Sequence, residues 1–148
     1  MASNLRIGKV IRSDRTLDVG HCLGMAFRFY ERARSFRHAM RGIGTVIRTQ
    51  HNAWIHLVAT AGAVALGFYV RLSAMEWCVI VLAIALVWIT EAVNTAIEFL
   101  ADEVTRERRE GIGRAKDVGA GAVFLAAMAS VVIGLLIFLP HILARIEQ

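Results

Sequence analysis

Apolar residues fill three stretches of the chain, residues 55–70, 77–101 and 118–139. They show little of the alternation between faces that marks a half-buried helix or strand, so each stretch reads as a membrane span. The third is the cleanest, since about 22 residues without a charge rise about 33 Å as a helix, enough to cross the hydrocarbon core with slight tilt. The first is short and is extended by Ala53 and Trp54, or met by a locally thinner bilayer. Between residues 36 and 47 the pattern changes. Phe36, Met40, Ile43 and Ile47 recur at helical spacing beside a stripe of Arg37, Arg41 and Arg48. That predicts a basic amphipathic helix lying in the headgroup plane. Residues 1–34 mix Ser, Asp and Gly among charges without a clear period and read as a weakly structured extension. The pattern therefore predicts an all-α membrane protein: three transmembrane helices preceded by a basic interfacial helix.

Polar positions inside the second span carry more information than its apolar ones. Glu91, Asn94 and Glu98 interrupt a run otherwise suited to lipid. At 100° per residue they fall within about 60° of one another, and Asp102 continues the same stripe. An ionised carboxylate at membrane depth costs roughly 2.5–3.5 kcal/mol on insertion scales. Two of them aligned with an amide mark a functional face. Small residues recur four apart as Ala59, Ala63 and Gly67 in the first span and as Ala122, Ala126, Ser130 and Gly134 in the third. Such rows allow close helix approach. The polar face of the second span would be better shielded in an assembly of several chains, which suggests a helical oligomer. Pro140, the one proline, is expected to end the third helix.

Composition supports this reading. The 148 residues are 57% hydrophobic and the mean hydropathy is +0.55, too apolar for an ordinary soluble fold. Lys and Arg total 17 against 12 Asp and Glu, a net charge of +5. Most of the basic residues precede the first span or lie between the second and third; the other loop carries Arg71 and the C-terminal tail Arg145. By the positive-inside rule the N-terminus and second loop are expected to be cytoplasmic and the C-terminus outside. The arginines flank spans and lack interleaved aromatics, which argues against nucleic acid as a partner. No continuous apolar core occurs in residues 1–34, so no cleavable signal peptide is expected. Cys22 and Cys78 fall toward opposite faces of the membrane in this topology, so no disulfide is expected between them.

The second loop, residues 102–117, is dense in charge and is expected to be flexible through Gly111 and Gly113. Lys116 and Asp117 stand just before the third span. A charged loop beside intramembrane carboxylates suggests an anionic, metal-bound partner arriving from the cytosol, although no P-loop motif is present.

Residues 91–98 (EAVNTAIE), followed after a short charged loop by residues 113–123 (GRAKDVGAGAV), resemble the prokaryotic integral-membrane diacylglycerol kinase and undecaprenol kinase family. Residues 35–43 (SFRHAMRGI) and 55–60 (IHLVAT) resemble it too, and more closely the undecaprenol kinases. The likeness spans about residues 35–141, so residues 1–34 form a cytoplasmic extension to a membrane lipid-kinase domain. It implies a homotrimer in the bacterial cell membrane that transfers the γ-phosphoryl of Mg-ATP to a lipid hydroxyl, most plausibly that of undecaprenol, with diacylglycerol the alternative.

Matched residue by residue, the resemblance implies that Glu91 is the general base at the acceptor, with Asn94 its polar neighbour. Glu98 holds Mg²⁺ on the nucleotide phosphates, and Lys116 and Asp117 bind nucleotide. Glu107, Arg109 and His38 fall at positions the family uses near ATP. Gln50 stands where the family usually has a second metal-binding glutamate, and Trp54 replaces a common basic residue. An amide oxygen can still ligate Mg²⁺, but without charge. The chemistry is consistent, because phosphoryl transfer needs positioning and charge neutralisation above all, and Mg²⁺ takes carboxylate, phosphate and water oxygens. His38, His51 and His56 are otherwise expected to be interfacial polar residues, and Trp54, Trp77 and Trp88 interfacial or packing residues. Intramembrane carboxylates alone would also fit a proton or cation pathway; the charged Lys116–Asp117 segment favours the kinase reading.

Overall fold

The computed structural model describes residues 19–105, 107 and 109–147, with side chains from Arg32 onward. The first 18 residues of the expected extension, the Cys22 side chain, and Arg106 and Arg108 of the charged loop lie outside the described residues. Four helices follow in order: α1 Val19–Thr49, α2 His51–Val70, α3 Ala74–Val104 and α4 Glu110–Ile146. The chain divides into two units, Met1–Met40 and Arg41–Gln148, so α1 contributes to both. In the first unit α1 is exposed over residues 32–40, including Phe36 and Met40. In the second unit its last turns begin to be covered, and Val46 is buried.

Helices α2, α3 and α4 are each long and apolar enough to cross a membrane. Helices suit that solvent because they satisfy every backbone donor and acceptor internally. The middle one is the most covered: 33% of its apolar stretch is buried within the chain, against 17% for α2 and 17% for α4. Large apolar side chains such as Leu82, Phe124 and Leu136 remain exposed on the outer faces, as suits helices long and apolar enough to cross a membrane. With 31 residues, α3 is about 46 Å long, so its last turns extend past a hydrocarbon core of about 30 Å.

The ends are set by local chemistry. Ser73 opens α3 with a reciprocal capping box: its backbone N–H donates to Glu76 Oε2 at 2.8 Å, and its hydroxyl accepts from the Glu76 N–H at 3.4 Å. At the end of α2, Arg71 adopts a left-handed conformation with φ 61°, and the Leu72 N–H donates to the Gly67 carbonyl at 3.1 Å. This tight reversal makes α2 and α3 antiparallel neighbours. Gly67 allows it, because a Cβ there would lie 2.8 Å from the Trp77 ring. A small core of Val70, Leu72, Ile80 and Phe138 closes this end.

Helices α3 and α4 pack along their length, and the Ser130 hydroxyl reaches the Ala83 carbonyl at 3.1 Å. Helix α2 leans on them more sparsely, with the Trp88 indole N–H donating to Thr60 Oγ1 at 3.1 Å. The small-residue rows are partly explained by this packing. Gly67 and Ala126 are buried, whereas Ala59, Ala63, Ser130 and Gly134 line a cavity between the three helices.

Two sequence expectations are corrected. Residues 110–117 are not a flexible loop; they form the first turns of α4, with Gly111 and Gly113 inside the helix, and the connection is limited to residues 105–109. Glu110 in the first turn favours this start by its charge at the helix N-terminus. Pro140 does not end the third span, because α4 runs through it to Ile146. The continuation is held from outside the helix. His141 Nε2 lies 3.5 Å from Glu76 Oε1, and Arg145 donates to the Tyr69 carbonyl at 3.0 Å while its guanidinium stacks 4.6 Å from the Tyr69 ring centroid.

Candidate functional site

The polar stripe of α3 faces inward. Glu91 is 1% exposed, Asn94 5% and Thr95 2%, and Glu91 and Thr95 are the largest fully buried side chains. The stripe opens progressively toward the end of the helix, with Glu98 half-buried and Asp102 exposed. Thr95 is satisfied within the helix, its hydroxyl donating to the Glu91 carbonyl at 2.8 Å. The carboxylates are not, and other parts of the chain come to meet them.

Glu98 is the hub. Asn94 Nδ2 donates to its Oε1 at 3.0 Å, the expected i, i+4 contact on one helix face, and Gln50 Nε2 donates to its Oε2 at 2.8 Å. Gln50 occupies the N-cap of α2, yet its side chain makes no capping bond there; it spans to α3 instead. Four residues beyond Glu98, Asp102 pairs with Lys116 Nζ at 2.5 Å, joining the end of α3 to the start of α4. Sequence reasoning placed Gln50, Asn94, Glu98 and Lys116 in one site, and the structure gathers them at one end of the three-helix bundle.

Asp117, beside Lys116, is exposed and makes no ion pair among the described residues. Glu107 and Arg109 lie in the short connection and pair with each other at 3.7 Å, both largely exposed. His38 belongs to the first unit, on an exposed stretch of α1.

At the buried end of the stripe, His56 Nε2 of α2 lies 3.8 Å from Glu91 Oε2. His56 is therefore not simply an interfacial residue. Three buried side-chain atoms have no hydrogen-bond partner among the described residues: His56 Nε2, Glu91 Oε2 and Asn94 Oδ1. Each such atom costs about 1–3 kcal/mol. The His56 and Glu91 atoms face each other between α2 and α3, a pair suited to receive a polar group. The sequence carries one signal for His56, since His56 and Thr60 are polar, four residues apart, and so share a face within an apolar span.

Gly119 is a second residue that sequence reasoning passed over. It is buried on α4, and a Cβ there would lie 2.5 Å from Asn94 Oδ1. Its missing side chain lets α4 close over the Asn94 amide.

The donor set at Glu98 suits a hard cation. One carboxylate and two amides can present oxygens, and the Asn94 oxygen is buried without a partner. Mg²⁺ needs few protein ligands of this kind, since phosphate and water oxygens complete its octahedron. Among the described residues no group of three or more His, Cys, Asp or Glu side chains could hold a metal.

Residues 37–138 match the prokaryotic diacylglycerol kinase family. An undecaprenol kinase of Bacillus subtilis (strain 168) is 43% identical over 109 residues, covering 74% of this chain and 89% of that protein. A diacylglycerol kinase of Synechocystis sp. is 35% identical over 111 residues, covering 74% of this chain and 63% of its own length. A diacylglycerol kinase of Escherichia coli (strain K12) is 32% identical over 84 residues, covering 57% and 69% respectively.

Proposed function

The chain belongs to the prokaryotic diacylglycerol kinase family, and from that premise we propose that it is an ATP-dependent lipid kinase acting on undecaprenol at the membrane surface. The observation that carries the reading is Glu91: a carboxylate 1% exposed, with an oxygen that has no hydrogen-bond partner among the described residues, on the same helix face as Glu98. The two are about 10 Å apart along the axis. That spacing separates a dry end, suited to a lipid hydroxyl, from a wetter end suited to a charged nucleotide. The similarity to the Bacillus subtilis undecaprenol kinase supports the choice of acceptor.

In this reading Glu91 accepts the acceptor's proton as the hydroxyl oxygen attacks the γ-phosphorus, the work of a positioned general base. Asn94 holds Glu98 in register. Glu98, with the Gln50 and Asn94 amides turned to present oxygen, would hold Mg²⁺; when bound, that ion supplies charge neutralisation on the nucleotide phosphates. Lys116 gives a point charge to phosphate. Asp117, Glu107 and Arg109 complete the nucleotide side. The Asp102–Lys116 pair keeps the lysine near the mouth of the site.

The same proposal covers the assembly. The apolar and arginine stripes of α1 lie in the cytoplasmic headgroup plane of a bacterial inner membrane, the α3–α4 connection is cytoplasmic, and the C-terminus is outside. Three chains associate, and their contacts cover part of the exposed apolar surface. Residues 1–34 stand as a cytoplasmic extension.

The test is phosphotransfer from labelled ATP in mixed micelles, with undecaprenol and diacylglycerol as separate acceptors. Undecaprenyl phosphate is expected as the main product, and Glu91→Gln should lower turnover by roughly 10²–10⁴. Preference for diacylglycerol would reassign the acceptor, and full activity of Glu91→Gln would remove Glu91 from the reaction.

A further inference from the structure

The His56 Nε2 and Glu91 Oε2 atoms face each other across 3.8 Å, each buried and without a hydrogen-bond partner among the described residues. That gap is too long for a direct N–H···O bond, which closes at about 2.7–3.2 Å. It is short enough for one oxygen atom to sit at about 2.8 Å from both. The histidine is also held in place. Its ring meets Trp88 edge-on, with centroids 6.4 Å apart, and Trp88 is fixed in turn by its 3.1 Å hydrogen bond to Thr60.

A second observation points the same way. His56 and Thr60 line a cavity of about 350 Å³ between α2, α3 and α4, whose other walls are apolar apart from Ser130. The cavity extends from His56 along α4 as far as Phe138, away from the end that carries Gln50 and Lys116. A molecule with a hydrocarbon body and one hydroxyl matches this arrangement: the body along the apolar walls, the hydroxyl at the unpartnered pair.

We propose that His56 is a second catalytic residue, which grips the hydroxyl of a lipid alcohol together with Glu91. His56 Nε2 carries a proton and donates to the hydroxyl oxygen, while the hydroxyl donates to Glu91 Oε2. One lone pair of the oxygen is then held and the other is free to attack. The bond from that oxygen to the γ-phosphorus forms, and the bond from the γ-phosphorus to the β–γ bridging oxygen breaks. The electron pair leaves with the nucleoside diphosphate, and the hydroxyl proton passes to Glu91. His56 keeps its proton throughout. Thr60 and Trp88 are positioning residues that hold the imidazole. This proposal rests on the lipid-kinase reading above.

The experiment compares the full-length protein with His56→Ala, His56→Gln and Trp88→Phe in mixed micelles, varying ATP and undecaprenol separately and recording thermal unfolding of each. His56→Ala is expected to lower kcat by about 10–10²-fold and raise the acceptor KM, with the ATP KM within about two-fold, as for a misplaced reacting group. His56→Gln keeps an N–H donor and should recover part of the loss. Trp88→Phe keeps a ring but loses the bond to Thr60, so it should fall between wild type and His56→Ala. Wild-type kcat and acceptor KM in His56→Ala would overturn the proposal while leaving the kinase reading intact. Equal losses in His56→Ala and His56→Gln, tracking a lowered unfolding temperature, would also overturn it in favour of a packing role. An unmutated protein that phosphorylates no lipid alcohol would overturn the kinase reading itself.

Discussion

The Gln50 amide donates a 2.8 Å hydrogen bond to the Glu98 carboxylate, across 48 positions of sequence. This contact ties the first residue before α2 to the polar face of α3, and it leaves the N-cap of α2 without a side-chain bond. A neutral side chain thus supports the carboxylate that is the best candidate for holding metal.

Gln50→Glu should reverse the sign of that support. Two carboxylates within hydrogen-bond reach repel unless a cation lies between them. In Mg²⁺-free buffer the variant should unfold several degrees lower than the unmutated protein, and Mg²⁺ should raise its Tm more, because binding to the folded state alone stabilises it. Half-saturating Mg²⁺ for phosphotransfer should fall, with acceptor preference unchanged. Thermal melts and Mg²⁺ titrations read both effects; unchanged titrations would make Gln50 a tether and leave Glu98 as the metal ligand.

Lys116→Ala separates binding from stability. Its pair with Asp102 is substantially exposed, with side chains 37% and 66% accessible, and such pairs contribute about 0–1 kcal/mol. Unfolding should therefore shift little. The KM for ATP should rise roughly tenfold or more from loss of a charged hydrogen bond, with the acceptor KM nearly constant. An effect confined to acceptor dependence would put the lysine on the other side of the reaction.

Gly119→Ala should be damaging out of proportion to its size. The new Cβ would meet Asn94 Oδ1 at 2.5 Å, so α4 must back away or Asn94 must release Glu98. Overpacking of this kind costs about 1–3 kcal/mol, and turnover should drop at least tenfold as the stripe loses register. Gly121→Ala, with nothing within 4 Å of its added carbon, is the comparison and should be neutral or stabilising by up to about 1 kcal/mol. Equal behaviour of the two variants would show that Asn94 tolerates displacement.

Pro140→Ala tests the extended α4. The proline lies inside the helix and lacks the N–H for the Leu136 carbonyl. Restoring that donor should raise the unfolding temperature, by about 1 kcal/mol in stability at this near-terminal position, without altering either KM. A lowered Tm would mean that the proline ring itself helps to aim His141 and Arg145 at Glu76 and Tyr69.

Much of the site was legible within single helices. Glu91, Asn94 and Glu98 share a face because 100° per residue puts them there, and the structure buries that face. Lys116 was legible as a charge next to a span, and its partner Asp102 as the last member of the stripe. Less legible was the start of α4: Gly111 and Gly113 suggested flexibility, yet glycines remain helical where neighbouring residues continue the ladder, as Glu110 to Asp117 do. Pro140 misled in the same way, since contacts from Glu76 and Tyr69 hold the turns after it.

The sequence by itself determined three apolar helices, the phase of their polar residues and the family to which they belong, because each of these depends on periodicity or on local strings of residues. Only the tertiary structure decided that His56 faces Glu91, that Gln50 reaches Glu98 and that Gly119 yields room to Asn94. The physical reason is that a helix fixes the angle of each side chain about its own axis but not the rotation or height of the neighbouring helix. Those two quantities are set by packing, here by Trp88 on Thr60, Ser130 on Ala83 and Trp77 over Gly67.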